Sequence, residues 1–158
     1  MFLAYAHYPP LLRANWNKVQ AVMLEGGLPR KVKEIIACLV SLDNDCSYCL
    51  TAHVAALRRC GVDNDEFARI CSDVDQAALL PKERALIRLA RRANLAPHEI
   101  SDAEFALVRE AGASDAEIVE ALGVVELFVG MNRFVDSLQV DLDTESPVDG
   151  AVLRVRNQ

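Results

Sequence analysis

A chain of 158 residues that is 52% hydrophobic and 25% charged has the size and apolar content to bury a core of its own as one domain. Its net charge of −6, with basic residues clustered only at Arg58-Arg59 and at Arg88, Arg91 and Arg92, argues against nucleic acid as a partner. Charged residues interrupt every long apolar run, so no membrane span is expected, and Met1 to His7 lacks the basic flank of a secretion signal before Pro9-Pro10. These features together suggest a cytoplasmic protein.

In chain order, an aromatic and apolar start carrying His7 leads to Pro9-Pro10, which open a helix. Leu11, Leu12, Trp16, Val19, Val22 and Met23 recur in it at helical spacing up to Gly26-Gly27. Trp16 is expected to pack, in the core or at a subunit interface. Pro29 suits the first position of a second helix. Val32, Ile35, Ile36, Leu39 and Val40 form its apolar stripe, with Glu34 and Cys38 one turn apart beside it. That helix should stop at Asp43-Asn44-Asp45. A third helix then runs to Gly61, and the short turn makes the two a hairpin. Across such a hairpin Glu34 and His53, both well away from the turn, can approach each other.

Beyond Gly61, Asp63-Asn64-Asp65-Glu66 caps a short helix through Phe67, Ile70 and Cys71. Ser72 to Gln76 reads as a polar turn, and Pro81 begins a helix with Arg84, Arg88, Arg91 and Arg92 on its solvated side. Pro97-His98-Glu99 reads as a loop. Two capping boxes follow, Ser101 with Glu104 and Ser114 with Glu117. The second opens a long helix through Leu138 that is apolar nearly all round between Ala121 and Phe128, which implies burial on several sides. No period-2 segment appears before residue 141. The fold is expected to be all-α, with six to eight helices in residues 1–140 and a polar tail, 141–158, that either docks on a neighbouring subunit or stays loose.

The chemistry gathers at Cys46-Ser47-Tyr48-Cys49-Leu50-Thr51-Ala52-His53. With Cys46 at the start of the third helix, Cys49 lies in its first turn. The i, i+3 spacing puts both sulfurs on one face, and i, i+4 adds His53 to it. The positive end of the helix dipole and the unpaired N–H groups of a first turn favour thiolate. Five cysteines, an odd number in a reducing compartment, make a structural disulfide framework a poor reading. Three readings of the motif stay open: thiol redox chemistry, a mixed zinc site of Cys46, Cys49, His53 and Glu34, and inert buried side chains. A thioredoxin-type site needs strands around its motif, and none are legible.

Glu34, the twelve-residue step to Cys46, the CxxC pair, His53 and Gly61-Val62 together resemble the core motif of AhpD-like alkylhydroperoxidases, a group of the carboxymuconolactone decarboxylase superfamily. The likeness extends more loosely to Pro9-Pro10-Leu11-Leu12 and to Asn132-Arg133 and Leu138. The last dozen residues are outside it. The resemblance implies an all-helical fold and assembly as a homotrimer or homohexamer. It also implies roles: Cys49 as peroxidatic thiolate, Cys46 as resolving thiol, His53 as base, and Glu34 as the group that orients His53. The substrate it implies is an organic hydroperoxide, and the reductant an external dithiol of the lipoyl type. No metal, flavin or other cofactor is required. Where some members carry a histidine between the cysteines, this chain has Tyr48, whose phenol either packs or donates a hydrogen bond to peroxide.

Other candidates receive blander readings. Cys38 is a core thiol or a third redox partner, and Cys60 and Cys71 are structural. His7 and His98 lie on the surface, and Asn132 and Arg133 hold contacts between helices. The competing functions are a dithiol–disulfide oxidoreductase or redox sensor, a non-redox decarboxylase or lactone-processing enzyme, and a structural protein whose cysteines hold zinc.

Overall fold

Ten successive residues of one helix, Val32 to Ser41, are buried, and the rest of the chain is wrapped around them. The computed structural model describes residues 1–141. Among these there are eight α-helices and no strand: α1 (Phe2–Ala6), α2 (Pro9–Val19), α3 (Arg30–Asp43), α4 (Ser47–Arg59), α5 (Asn64–Ser72), α6 (Pro81–Leu95), α7 (Asp102–Glu110) and α8 (Asp115–Ser137). The all-α class expected from the sequence is therefore found. The tail at 141–158, with its suggested docking on a neighbour, lies outside the described residues apart from Asp141.

The central helix α3 packs on α4, α6 and α8. Its apolar stripe meets Leu50, Val54 and Leu57 of α4, Leu86 and Ile87 of α6, and Val124, Leu127 and Phe128 of α8 in one core. Burial on this scale stabilises each large side chain by roughly 1.5–3 kcal/mol. A helix buried on all sides must also satisfy its polar groups internally. Lys33 donates to the Glu25 carbonyl and pairs with Glu120 of α8 at 2.5 Å. Glu34 is held by Arg30 and His53. Ser41 accepts from Asn132 of α8 at 3.2 Å.

Caps fix the ends as the sequence suggests. Asp63 accepts from the Glu66 N–H at 2.8 Å, and the Ser101/Glu104 and Ser114/Glu117 boxes are both closed. Each such cap contributes about 0.5–2 kcal/mol. The loop before α3 is tied to α8, because Glu120 accepts from the N–H of Gly27 and Leu28. At Gly26, with φ +91°, a Cβ would collide with that carboxylate, so only glycine fits.

Several elements differ from the sequence reading. The apolar start forms the short helix α1. The helix from Pro9 loses α geometry after Val19 and continues as a π-helical turn, Gln20–Leu24. Pro29 is the N-cap of α3, with extended ψ of 140°, rather than its first helical residue. Ser72 to Gln76 contains a 3₁₀ turn, Val74–Gln76, and Pro97–Glu99 is another. Arg91 turns inward from the solvated side, donating twice to Asp43 at the end of α3. Trp16 is 45% exposed, its ring edge-to-face with Phe2. It is therefore not a core residue of the protomer.

Candidate active site

The turn between α3 and α4 places the first cysteine by backbone geometry. Asp45 adopts the left-handed conformation (φ 66°), which Asp tolerates better than most residues. Its N–H donates to the Leu42 carbonyl at 3.2 Å, and the Cys46 N–H donates to the Ser41 carbonyl at 2.9 Å. This closes a Schellman motif on α3. The residue that ends it, Cys46, is also the N-cap of α4. Its sulfur is thus fixed relative to both helices, and Cys49 follows in the first turn of α4.

Both cysteines are buried, Cys46 at 1% and Cys49 at 3% exposure, and all five cysteines are free thiols. The two sulfurs are inequivalent. Cys49 is held below the ordinary thiol pKa of 9.0 by a hydrogen bond from Cys46, against the opposing effect of burial, with further help from Asn132. Cys46 is pushed up by the same bond to Cys49, by burial, and by a hydrogen bond to Asp136. The arrangement favours a thiolate on Cys49 and a proton on Cys46.

Asn132 is fully buried on α8. Its Nδ2 donates to Ser41 Oγ, its Oδ1 accepts from Asn44 Nδ2 at 3.0 Å, and it is near enough to Cys49 to favour the thiolate there. It joins the helices, as expected, and it also stands beside Cys49, a position with no counterpart in the sequence reading. Asp136, one helical turn further along α8, was not singled out at all. A polar residue inside the most apolar helix was the available signal for Asn132, and the i, i+4 spacing from it was the signal for Asp136.

The hairpin brings Glu34 of α3 to His53 of α4, with Oε2 to Nδ1 at 2.6 Å. The other carboxylate oxygen, Oε1, accepts from Arg30 Nε at 2.6 Å, and the same guanidinium donates to the Met23 carbonyl. Burial raises the Glu34 carboxyl, but the hydrogen bonds and charges of His53 and Arg30 outweigh it and hold it below its ordinary value. An ionised carboxylate only accepts, so Nδ1 carries the proton and Nε2 is left free to act as a base. Phe128 meets the ring edge-to-face, with centroids 4.3 Å apart. Among the described contacts none joins the imidazole to the Cys49 sulfur. The two stand one turn apart on one face of α4.

The cysteine pair lies under a small apolar cluster of Met1, Tyr48, Phe134, Val135 and Val140. Tyr5 of α1 stacks on Phe134 with centroids 3.9 Å apart, and its hydroxyl is near enough to Cys49 for the two ionisations to oppose each other. Tyr48 packs in the cluster and its hydroxyl accepts from the Met1 amino group at 2.9 Å.

Cys38 is fully buried, and burial followed by the charge of Glu34 pushes its thiol far up. Burial pushes Cys71 up to about 12. Both are poor nucleophiles. His7, His98 and Arg133 are exposed. No group of three His, Cys, Asp or Glu side chains among the described residues is arranged to hold a metal ion. No helix among them is long and apolar enough to cross a membrane.

Comparison with known proteins places these features in a family. Residues 9–92 match the Carboxymuconolactone decarboxylase family. An uncharacterized peroxidase-related protein from Silicibacter sp. TM1040 superposes with a TM-score of 0.83 at 29% identity, over 92% of this chain and 76% of its own. The alkylhydroperoxidase AhpD core of an uncharacterized peroxidase-related protein from Ralstonia eutropha JMP134 gives 0.79, also at 29% identity, over 98% and 79%. The debrominase Bmp8, in complex with 2,3,4-tribromopyrrole, shares the fold alone, with a TM-score of 0.81 at 16% identity over 98% and 81%. Among curated proteins, none matches this chain significantly.

Proposed function

The chain belongs to the carboxymuconolactone decarboxylase family, in its AhpD-like branch, and from that premise we propose that it is a thiol-dependent peroxidase reducing organic hydroperoxides. The observation that carries this reading is the buried Cys46/Cys49 pair on the face of α4 that also carries His53, whose Nδ1 lies 2.6 Å from the buried Glu34 carboxylate.

In the proposed reaction His53, oriented through Nδ1 by Glu34, takes the Cys49 proton on Nε2. The thiolate attacks the distal oxygen of ROOH, the O–O bond breaks, and the proton returns from His53 to the departing alkoxide to give ROH. Cys49 is left as a sulfenic acid. Cys46 condenses with it, releasing water and forming the disulfide, and an external dithiol of the lipoyl type restores both thiols. The one-turn gap between His53 and Cys49 suits transfer through the hydroperoxide itself.

Burial of both sulfurs supports a small substrate over direct docking of a protein disulfide, which is the oxidoreductase alternative. A lactone or decarboxylation reaction would have no use for the hydrogen-bonded thiol pair. Exposed Phe2, Leu3, Trp16, Leu24 and Val119 support assembly of the protomer as a homotrimer or homohexamer, which light scattering on the purified protein would read directly.

The deciding experiment treats fully reduced protein with one equivalent of an organic hydroperoxide, blocks residual thiols at intervals, and maps the cysteines by mass spectrometry. Cys46 and Cys49 should become linked far faster than free cysteine oxidises, and Cys49→Ser should abolish the reaction. If neither thiol outpaces free cysteine, hydroperoxide is the wrong substrate.

A further inference from the structure

Cys46 and Cys49 are 1% and 3% exposed, yet an oxidant must meet one sulfur and a reducing thiol must later reach the disulfide. Part of the cover over the pair therefore has to move. Met1, Tyr48, Phe134 and Val140 pack against the cluster of Cys46, Cys49 and Val135. Tyr48 stands on α4 between the two cysteines. Phe134 and Val135 belong to the long helix α8, which the core holds through Val124, Leu127, Phe128 and Met131. Val140 is tied back to α8, its N–H donating to the Val135 carbonyl at 3.0 Å. These parts are fixed to the bundle.

What remains is Met1 with α1. Five residues are too few to hold a helix on their own, so α1 keeps its shape by docking. Tyr5 is the one residue it buries, and α2, which follows, buries none. The place of the Tyr5 ring is therefore set by its stack on Phe134, with centroids 3.9 Å apart and planes 6° from parallel. A stacked ring can be exchanged for another flat apolar group that covers the same face. When Tyr5 swings away, the face of Phe134 is left bare beside the cysteine pair.

We propose that Tyr5 is the gate of the cysteine pair, and that the apolar group of the incoming hydroperoxide takes its place against Phe134. The substrate class this selects is a hydroperoxide bearing an aromatic group. Hydrogen peroxide has nothing with which to displace the ring. The choice of substrate rests on the peroxidase reading above, whereas the gate does not, because any reagent bound for the sulfurs must pass it. Tyr5 and Phe134 thus set specificity, and the chemistry stays with Cys49, Cys46, His53 and Glu34.

The test takes the intact, reduced protein through two measurements. In the first, iodoacetamide labelling of each cysteine is timed by mass spectrometry. In Tyr5→Ala, Cys49 should be labelled about 10-fold faster than in the wild type, as the loss of one stacked aromatic contact favours the open form. The core thiols Cys38 and Cys71 should stay as slow as before, and Tyr5→Phe, which keeps the ring, should match the wild type. Unchanged labelling of Cys49 in Tyr5→Ala would overturn the gate. So would equal gains at Cys38 and Cys71, which would mark a loosening of the whole bundle. In the second, oxidation of Cys49 by cumene hydroperoxide is compared with oxidation by hydrogen peroxide. The wild type should favour cumene hydroperoxide, and Phe134→Leu should lose most of that preference while hydrogen peroxide reacts no slower. Equal slowing with both oxidants would overturn the seat on Phe134. If neither oxidises wild-type Cys49 faster than free cysteine, the peroxidase reading fails and the seat with it, and the labelling still decides the gate.

Discussion

Glu34 Oε2 lies 2.6 Å from His53 Nδ1, joining the two helices of the hairpin through a fully buried carboxylate. Because that carboxylate also takes the Arg30 guanidinium on its other oxygen, it stays ionised in an otherwise apolar setting. It thereby fixes the imidazole tautomer.

Glu34→Gln should retain the fold, since the Arg30 side chain is 45% exposed and can turn to water. Oxidation of Cys49 by hydroperoxide should slow by roughly 100-fold or more, because a correctly held general base contributes about 10²–10⁴-fold. Nitrogen NMR of the His53 ring should show a mixture of tautomers. An unchanged rate would remove Glu34 from the relay. The folded Glu34 carboxyl lies below its ordinary value of 4.5, so its ionised form stabilises the fold above pH 4.5, and that contribution is lost as pH falls through the lower folded value. Urea unfolding at a series of acidic pH values should show the wild type losing more stability than Glu34→Gln.

The Cys49 thiolate, followed by its ultraviolet absorbance, should titrate below the ordinary thiol value of 9.0. Removing the thiol donor in Cys46→Ala should move that titration to higher pH, and Asn132→Ala should move it the same way by less. A titration that stays put in Cys46→Ala would mean the sulfur–sulfur hydrogen bond is not what lowers it. Asn132→Ala should also cost about 1–3 kcal/mol of stability, because it leaves the buried Ser41 and half-buried Asn44 without a partner.

Two ion pairs of similar length should differ sharply in worth. Lys33 is 2% exposed and pairs with Glu120, so Glu120→Ala leaves a buried ammonium with the Glu25 carbonyl and no counter-charge, and should destabilise by about 3–5 kcal/mol. Lys18 meets Glu126 at 2.6 Å, but the glutamate is 73% exposed. Glu126→Ala should therefore change stability by less than about 1 kcal/mol. Urea denaturation of the two variants checks the contrast, and equal losses would refute the burial argument.

Local patterning was enough for the helices, because their signals are local: the stripe from Val32 to Val40, the capping boxes at Ser101 and Ser114, and the stop at Gly61, where φ is +84°. The meeting of Glu34 with His53 was legible for the same reason, since one short turn separates their helices. Spacing alone also put Cys46, Cys49 and His53 on one side of α4. What the sequence could not supply was the third wall of the site. Asn132 and Asp136 are more than eighty residues from the cysteines, and only the packing of α8 against α3 and α4 brings them near the sulfurs. The cover of Tyr5 and Phe134 and the exposure of Trp16 were likewise tertiary outcomes. The sequence by itself determined which residues can do thiol chemistry. The fold decided what surrounds the two sulfurs, because Phe134 and Val135 reach the cysteine pair only when that distant helix packs against α3 and α4.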